Sequence, residues 1–432
     1  MKALLVGVGA VGEAIVKILS KRDTEGKWLE KMVLADYDFE KAKSISEELQ
    51  NSKRFPAEFL DASDKEEIIN MIKKHEVDFV LNGSPPYLNN NIFDAAFEAG
   101  VKYLDMGLYS NPYPAESSTK GYIEWMGDYS FKKAKEWEEK NLLAILGAGI
   151  DPGVADVFAK FAAKHIFDEL EEIGVKDGNN ITVKDLDIAF GFSIWTVIDE
   201  VLNPPVVWER DKGWYTVEPF SGIETFDFPE GIGPQKLINC EHEEVVFIPK
   251  YIDKGLKKVS FKIGLGDEMI QALKVIRGLG MDKKEKYIVD GVEVSPRDVV
   301  ASIAPSPAEL RDKMEGKMCV GIHVKGKKDG KKREIFMYQY LDHKDAMERV
   351  GCQVVVTQTA FGACIATELV AKEIWQGKGV HCPEYFEPEP FLKLMQEYEY
   401  PFRILEMDSE YKKSRDEFEL NQILDEVAIS KE

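Results

Sequence analysis

Short apolar runs alternate with amphipathic stretches through the first third of the chain. Ala3–Val6 is apolar and closed by Gly7, and Ala14, Ile15, Ile18 and Leu19 then share one helical face. Met32–Ala35 ends at Asp36, and Glu40–Leu49 has helical spacing. Phe59 and Leu60 lead to Asp61, and Glu67–Lys74 reads as a helix. Phe79–Leu81 runs into the loop Asn82-Gly83-Ser84-Pro85-Pro86, Ile92–Glu98 is helical, and Tyr103-Leu104 ends at Asp105. Strand and helix in regular alternation predict right-handed βαβ units and a parallel sheet. Each strand ends in a loop on the side where open α/β sheets bind ligands.

The pattern then changes. Residues from about Asn111 to Asp128 are rich in Tyr, Pro, Ser and Gly and read as an irregular active-site loop or lid. Phe131–Lys140 is helical, and Leu142–Leu146 is a strand ending in Gly147-Ala148-Gly149. Alternating positions in Val183–Phe192, Trp214–Pro219, Val245–Pro249, Lys258–Ile263, Tyr287–Val289, Met318–Lys325 and Arg333–Tyr340 predict a second, largely antiparallel or mixed sheet. The basic KGKKDGKKR segment, Lys325 to Arg333, reads as a solvated hairpin. Gln353–Trp375 is a long helix with small residues Ala360, Gly362, Ala363 and Ala366, and the acidic tail from Glu384 reads as helical. The expected fold class is α/β, with domains over 1–150, 151–350 and 351–432.

With 432 residues the chain is long enough for two or three lobes. Its net charge of −21 disfavours a phosphate backbone as partner. No apolar stretch approaches the roughly 20 residues of a membrane span. The five cysteines, Cys240, Cys319, Cys352, Cys364 and Cys382, contain no C-x-x-C pair. They fit free thiols in the cytoplasm rather than a disulfide framework or a zinc site. The expected partner is a small molecule, with neither nucleic acid, membrane nor metal.

Gly7-Val8-Gly9-Ala10-Val11-Gly12 fits G-x-G-x-x-G between a strand and a helix. The first glycine allows the turn, the second lets the backbone approach a pyrophosphate, and the third lets helix and strand pack closely. The helix N-terminus offers free N–H groups to phosphate. Asp36 lies 24 residues past Gly12, near the spacing of a carboxylate that accepts from ribose hydroxyls. Such a carboxylate repels a 2′-phosphate, so NAD is expected in preference to NADP. Asp61, Ala62 and Ser63 end the third strand where an adenine would lie, though Ser63 or Asp64 would equally cap the next helix.

Several blocks in order, GVGAVG, ADYDFEKA, FLDASD, VLNGSPP, KYLDMG and above all GAGIDPGVADVFAKF, make the chain resemble the saccharopine dehydrogenase superfamily. VSFKIGLGDEMIQALKVIRGLGM and TQTAFGACIATELVAKEIWQGKGVHCPE extend the resemblance over most of the length. It implies a Rossmann domain, an inserted α/β substrate and dimerisation domain, and a C-terminal return to the Rossmann lobe. It implies NAD(P)-dependent chemistry at a C–N bond of an amino acid or polyamine precursor, in a homodimer. The KGVHCPE ending is most similar to the lysine 6-dehydrogenase branch and its lysine metabolism. Two alternatives stand beside that branch: reductive imine chemistry of the saccharopine or carboxynorspermidine kind, and a non-catalytic NAD-binding regulatory protein.

An amine dehydrogenase needs a base near neutral pKa to move the ammonium proton. Asp151 follows a strand in the Gly149–Gly153 block; a plain helix cap is the alternative, with Pro152 in the first turn. Asp105 ends a strand where the nicotinamide should lie, or is a solvated turn carboxylate. His242, flanked by Glu241, Glu243 and Glu244, is a candidate acid/base or a surface histidine on an acidic turn. Asn82, Gly83, Ser84 and Pro85 would border the nicotinamide ribose. His323 reads as a satisfied core residue. Arg210, Arg277, Arg297 and Arg311 are alternatives for holding a substrate carboxylate.

Overall fold

The structure, a computed structural model, describes residues 1–108, 125–186, 188–283, 285–305, 307–408 and 410. Two sheets organise it. The first has seven parallel strands in the order Gly379–His381, Leu143–Ile145, Lys102–Asp105, Phe79–Asn82, Lys2–Val6, Lys31–Asp36, Ala57–Phe59. Its central strands are buried on both faces, which is why their sequences are continuous apolar runs. Strand order reverses between Lys2–Val6 and Phe79–Asn82, so the loops after Val6 and Asn82 open into one crevice.

The second sheet is mixed, with nine strands. Its main path is Gly213–Thr216, Val206–Glu209, Lys258–Ile263, Glu169–Asn179, Lys317–Lys328, Lys331–Asp342, Phe402–Glu406. The hairpin Glu224–Phe228/Gly233–Asn239 joins it through Lys258–Ile263. The basic segment is the tip of the long Lys317–Asp342 hairpin. Asp329 and Gly330 both have positive φ there, as a two-residue turn requires, and Lys327 and Lys328 pair with Glu169 and Asp168.

Several expectations need correction. Val183–Phe192 is not a strand of this sheet; only Thr182–Val183 pairs, with Met314–Glu315, because Asp185 turns the chain in the left-handed region. Val245–Pro249 lies inside a helix, Glu244–Tyr251, since a short fully buried apolar run has no period that separates strand from helix. Tyr287–Val289 pairs only with Val292–Val294, as an exposed ribbon outside both large sheets. Glu169–Asn179, unread in the sequence, is central; Ile173, Val175 and Asp177 share one face, and Glu172, Gly174, Lys176 and Gly178 lie on the other. The region after Glu384 is only partly helical, over Pro388–Glu397, and then adds Phe402–Glu406 to the second sheet. The C-terminal part therefore contributes a strand to each sheet. Most of the lid segment, residues 109–124, and the end of the tail lie outside the described residues.

Val354–Ala371 is the one described helix long and apolar enough to cross a membrane, and here it is core, packed on Ala10–Arg22. Its small residues have a steric reason. A Cβ on Gly362 would lie 1.9 Å from the carbonyl oxygen of Gly149, and one on Gly153 would lie 2.3 Å from the same atom. The long helix thus presses directly on the loop that follows the strand Leu143–Ile145. Gly362→Ala is expected to destabilise the protein by about 1–3 kcal/mol, read as a lower urea midpoint; an unchanged midpoint would refute this packing constraint.

Candidate active site

The glycine loop is built by contact. Gly7 has φ +91°, and a Cβ there would lie 2.7 Å from the Ser84 nitrogen. A Cβ on Gly12 would lie 2.2 Å from the Gly7 carbonyl oxygen, so the helix Ala10–Arg22 can sit this close only with glycine. Gly9 differs: a Cβ there would meet nothing within 4 Å. It would instead fill the open space before a helix N-terminus that has no side-chain cap. That space suits a pyrophosphate, held by the free first-turn N–H groups. Gly9 and the backbone of Ala10 and Val11 are the residues that would hold it, while Val8 gives its N–H to Asp36.

Asp36 stands beside this cradle, half-buried. Its Oδ2 accepts from Val8 N–H at 2.6 Å and its Oδ1 from Asp38 N–H at 2.8 Å. The carboxylate is therefore locked against the loop. Exposed Tyr37 and Phe59, ring centroids 5.6 Å apart, flank it at the strand ends and offer aromatic surface for a base. Asp61 accepts from Ser63 N–H and Oγ at 2.9 and 2.6 Å, while Ala62 accepts from Asn91. Asp64, not Ser63, caps the helix Lys65–His75.

Asn82 is buried and spends its side chain on its neighbours. Nδ2 donates to Asn89 Oδ1 at 2.7 Å and to Tyr103 Oη at 3.1 Å, and Oδ1 accepts from Ser84 N–H at 3.0 Å. It shapes the Gly83-Ser84-Pro85 loop rather than presenting its own amide. A Cβ on Gly83 would lie 2.9 Å from the Gly7 oxygen, so the two strand-end loops touch.

Asp105 is not a solvated turn residue. It is buried, and its Oδ1 accepts from Gly147 N–H at 2.7 Å. Burial outweighs that bond and lifts its pKa to about 8. Nor does Asp151 cap the following helix. Gly153 holds the N-cap of Val154–Phe161, with Asp156 Oδ2 accepting from its N–H at 2.7 Å. The Asp151 carboxyl is instead turned among acids, and burial and then Asp177 push it well above the carboxylate range.

His242 is also interior. Its ring stacks on Phe261 at 3.7 Å between centroids, and Nδ1 lies 2.6 Å from Glu244 Oε2 and 3.4 Å from Glu243 Oε2. The donor atoms of these three consecutive residues fall within 4.8 Å of one another, a separation that a protonated imidazole between two carboxylates spans by itself. Burial opposes that charge, but Glu244, Glu243 and Glu200 outweigh it and hold the imidazole well above its ordinary pKa.

Five carboxyl groups thus surround one imidazole: Asp151, Asp177, Glu200, Glu243 and Glu244. Burial is the largest influence on Asp177, held at about 7, and on Glu200, held at about 8. Glu243 Oε1 accepts from Leu108 N–H at 2.7 Å, tying the cluster to the loop after the Asp105 strand. The cluster therefore sits at the ligand-binding edge of the first sheet. Asp177 was missed because its strand mixes charged and apolar residues on one face, and Glu200 because the helix Ile194–Leu202 was not read, although Ile194, Ile198, Val201 and Leu202 recur at helical spacing and could have marked it.

The four arginines separate clearly. Arg210 pairs with Asp253 at the surface, Arg277 is exposed, and Arg311 meets Glu13 at 2.5 Å. Arg297 is buried beside Asp199 at 2.6 Å, one residue from Glu200. His323 bonds Glu334 at 2.7 Å on the second sheet and takes no part.

Comparison with known proteins agrees with this architecture. Residues 3–145 match the Saccharopine dehydrogenase NADP binding domain, and residues 149–400 match the Saccharopine dehydrogenase C-terminal domain. The chain is 30% identical over 417 residues to a carboxynorspermidine synthase of Vibrio alginolyticus, covering 94% of this chain and 98% of that protein. It is 28% identical over 402 residues to a carboxyaminopropylagmatine dehydrogenase of Synechocystis sp., covering 93% and 96%. The fold is shared with apo saccharopine dehydrogenase (L-Glu forming) of Saccharomyces cerevisiae, with a TM-score of 0.66, 14% identity, and coverage of 94% and 99%. A dinucleotide cradle joined to a buried acid/base cluster, and matched along nearly its whole length, places this chain in the saccharopine dehydrogenase family of nicotinamide-dependent oxidoreductases.

Proposed function

We propose that this enzyme joins a diamine to a short carboxylated aldehyde by reducing the imine they form, a reaction it can also run in reverse. The observation that carries the reading is the surplus of carboxyls around His242, with Asp177, Glu243 and Glu244 buried and Asp151 and Glu200 half-buried. A buried acidic cluster with a single imidazolium is complementary to a substrate with more than one ammonium group, since each cation relieves repulsion among acids. The names of the relatives, which denote carboxylated polyamine products, point the same way. This shifts the reading from lysine towards polyamine-type substrates.

The amine must lose a proton before its lone pair can attack the carbonyl, and one of the ionised carboxylates facing His242 accepts it. The resulting carbinolamine loses water when a neighbouring acid protonates its hydroxyl. Asp105 and Glu200, held protonated near neutrality by burial, are suited to that donation. When bound, the nicotinamide supplies hydride to the imine carbon or accepts it in the reverse direction. We further propose NAD rather than NADP, because Asp36 is fixed where a 2′-phosphate would meet its charge. Oxidation of a single amino acid is the second reading, favoured by the buried Arg297, which gives Nη2 to Asp199 and has Nε and Nη1 left to meet a substrate carboxylate.

The deciding assay follows NADH and NADPH oxidation with aspartate semialdehyde, a short amino-acid aldehyde, and a panel of diamines. NAD reduction with lysine, ornithine and saccharopine runs in parallel. Turnover only with the amino acids would overturn the diamine reading. His242→Gln is expected to lower kcat on the order of 10²–10⁴-fold with little change in cofactor binding. The reductive rate should fall as pH rises through about 8, where Asp105 and Glu200 lose the protons to be donated, and the oxidative rate should rise; rates in both directions from acid to alkaline pH test the sign. Asp36→Ala should weaken the NAD preference, and an unchanged NAD/NADP ratio of kcat/KM would remove Asp36 from cofactor choice.

A further inference from the structure

Three sequence blocks meet directly behind the His242 cluster, and two of the acids they bring there, Asp156 and Glu384, have no part in the proposed chemistry. Asp156 comes from GAGIDPGVADVFAKF, Glu244 follows His242, and Glu384 ends the KGVHCPE block. The helices Val154–Phe161 and Glu244–Tyr251 and the turn Pro383–Tyr385 pack on one another and carry the three acids. All three residues have 0% exposure.

Their hydrogen bonding is incomplete. Asp156 Oδ2 takes the Gly153 N–H and Glu244 Oε2 takes His242 Nδ1. Among the described residues, no other residue donates an N–H or hydroxyl to Asp156 Oδ1, Glu244 Oε1 or either oxygen of Glu384. The carboxyls of Asp156 and Glu384 nevertheless face each other as hydrogen-bonding partners. Two ionised carboxylates so placed in a dry interior would repel strongly. One proton between them converts that repulsion into a short charge-assisted O–H···O⁻ bond.

The surroundings offer no competing partner. Glu244 and Tyr251 face the pair from the helix Glu244–Tyr251, and Cys382 faces it from the preceding turn. Lys160, on the same helix as Asp156, acts on Glu384 without bonding it. Lys250 and Asp105 act on Cys382 beside the pair. On the far side Glu389 is engaged by Lys164 and His165, and the long hairpin contributes Val320, Ile322 and Met337 to the core. Burial and then Glu384 hold Asp156 well above the carboxylate range, and burial lifts Glu384 to about 7.

We propose that Asp156 and Glu384 hold one proton between them and serve as a positioning pair behind the His242–Glu244 ion pair. The pair clamps the returning C-terminal segment to the Gly149–Gly153 loop and adds one net negative charge to the surroundings of His242. The positioning role rests on His242 acting in the proposed reaction; the shared proton does not.

The unfolded chain releases these protons near pH 4, whereas the folded pair keeps them to higher pH. Stability contributed by the pair therefore falls as pH rises from about 5 through about 7. Glu384→Gln retains the shape and donates an N–H to Asp156, so its Tm should fall less than that of the native protein over this range. Asp156→Asn should show the same flattening, and the double variant should flatten by less than the sum of the two. Parallel Tm–pH curves, or strictly additive flattening, would overturn the shared proton without any substrate being needed. In kinetics, the double variant removes the net charge while leaving amides in place. The pH limb due to His242 should then move to lower pH on the order of one unit, with KM unchanged. A loss of kcat that is uniform across pH would overturn the positioning role while leaving the amine reading intact.

Discussion

Burying carboxyl groups faster than cations can be found for them is the constraint on which the site depends. At about 4 Å, like charges repel by roughly 4 kcal/mol at an effective dielectric near 20. Asp151, Asp177, Glu200, Glu243 and Glu244 cannot all ionise around a single imidazolium. Protons remain on some of them at neutral pH, and an ammonium ion entering the cluster can replace those protons. In the proposed function, the same imbalance that makes the site costly to fold is what lets it receive an amine and supply acid and base. Substrate recognition and proton transfer thus share one electrostatic origin.

Such a cluster must be held rigidly, because relaxation would let water in and dissipate the repulsion. Backbone contacts supply the rigidity. Gly7, Gly12 and Gly83 pack against one another under the dinucleotide cradle, and Gly149, Gly153 and Gly362 do the same under the acid cluster. Each set brings elements from distant parts of the chain closer than any Cβ would permit. The two sets follow strands of one parallel sheet, Leu143–Ile145 on one side and Phe79–Asn82 with Lys2–Val6 on the other, separated by Lys102–Asp105, so cofactor and acids face a common edge. The second sheet completes the wall with Asp177, and the helix Ile194–Leu202 with Glu200.

The family's division of labour follows from this construction. The dinucleotide half is defined by local backbone geometry, which tolerates wide variation in side chains. The acid cluster draws one or two residues from each of several elements, so its geometry depends on how those elements pack. The fold itself is shared with a yeast saccharopine dehydrogenase at 14% identity.

Much of the first sheet was legible in the sequence, because a strand, a glycine turn and an amphipathic helix are specified by neighbours in the chain. Gly7, Gly9, Gly12 and Asp36 declare themselves by spacing alone, and the sheet places them as that spacing requires. Asp105, Asp151 and His242 could be picked out as candidates from their positions after strands or among acids. Their burial could not, since it depends on elements hundreds of residues away. Asp177 gave no signal, and the segment around Val245 was misread, because an apolar run wrapped on every side carries no period. The sequence by itself determined where the chain would turn and bind a dinucleotide. Only the tertiary structure decided which charges lose their water, because desolvation is a property of what packs around a residue and not of the residues beside it.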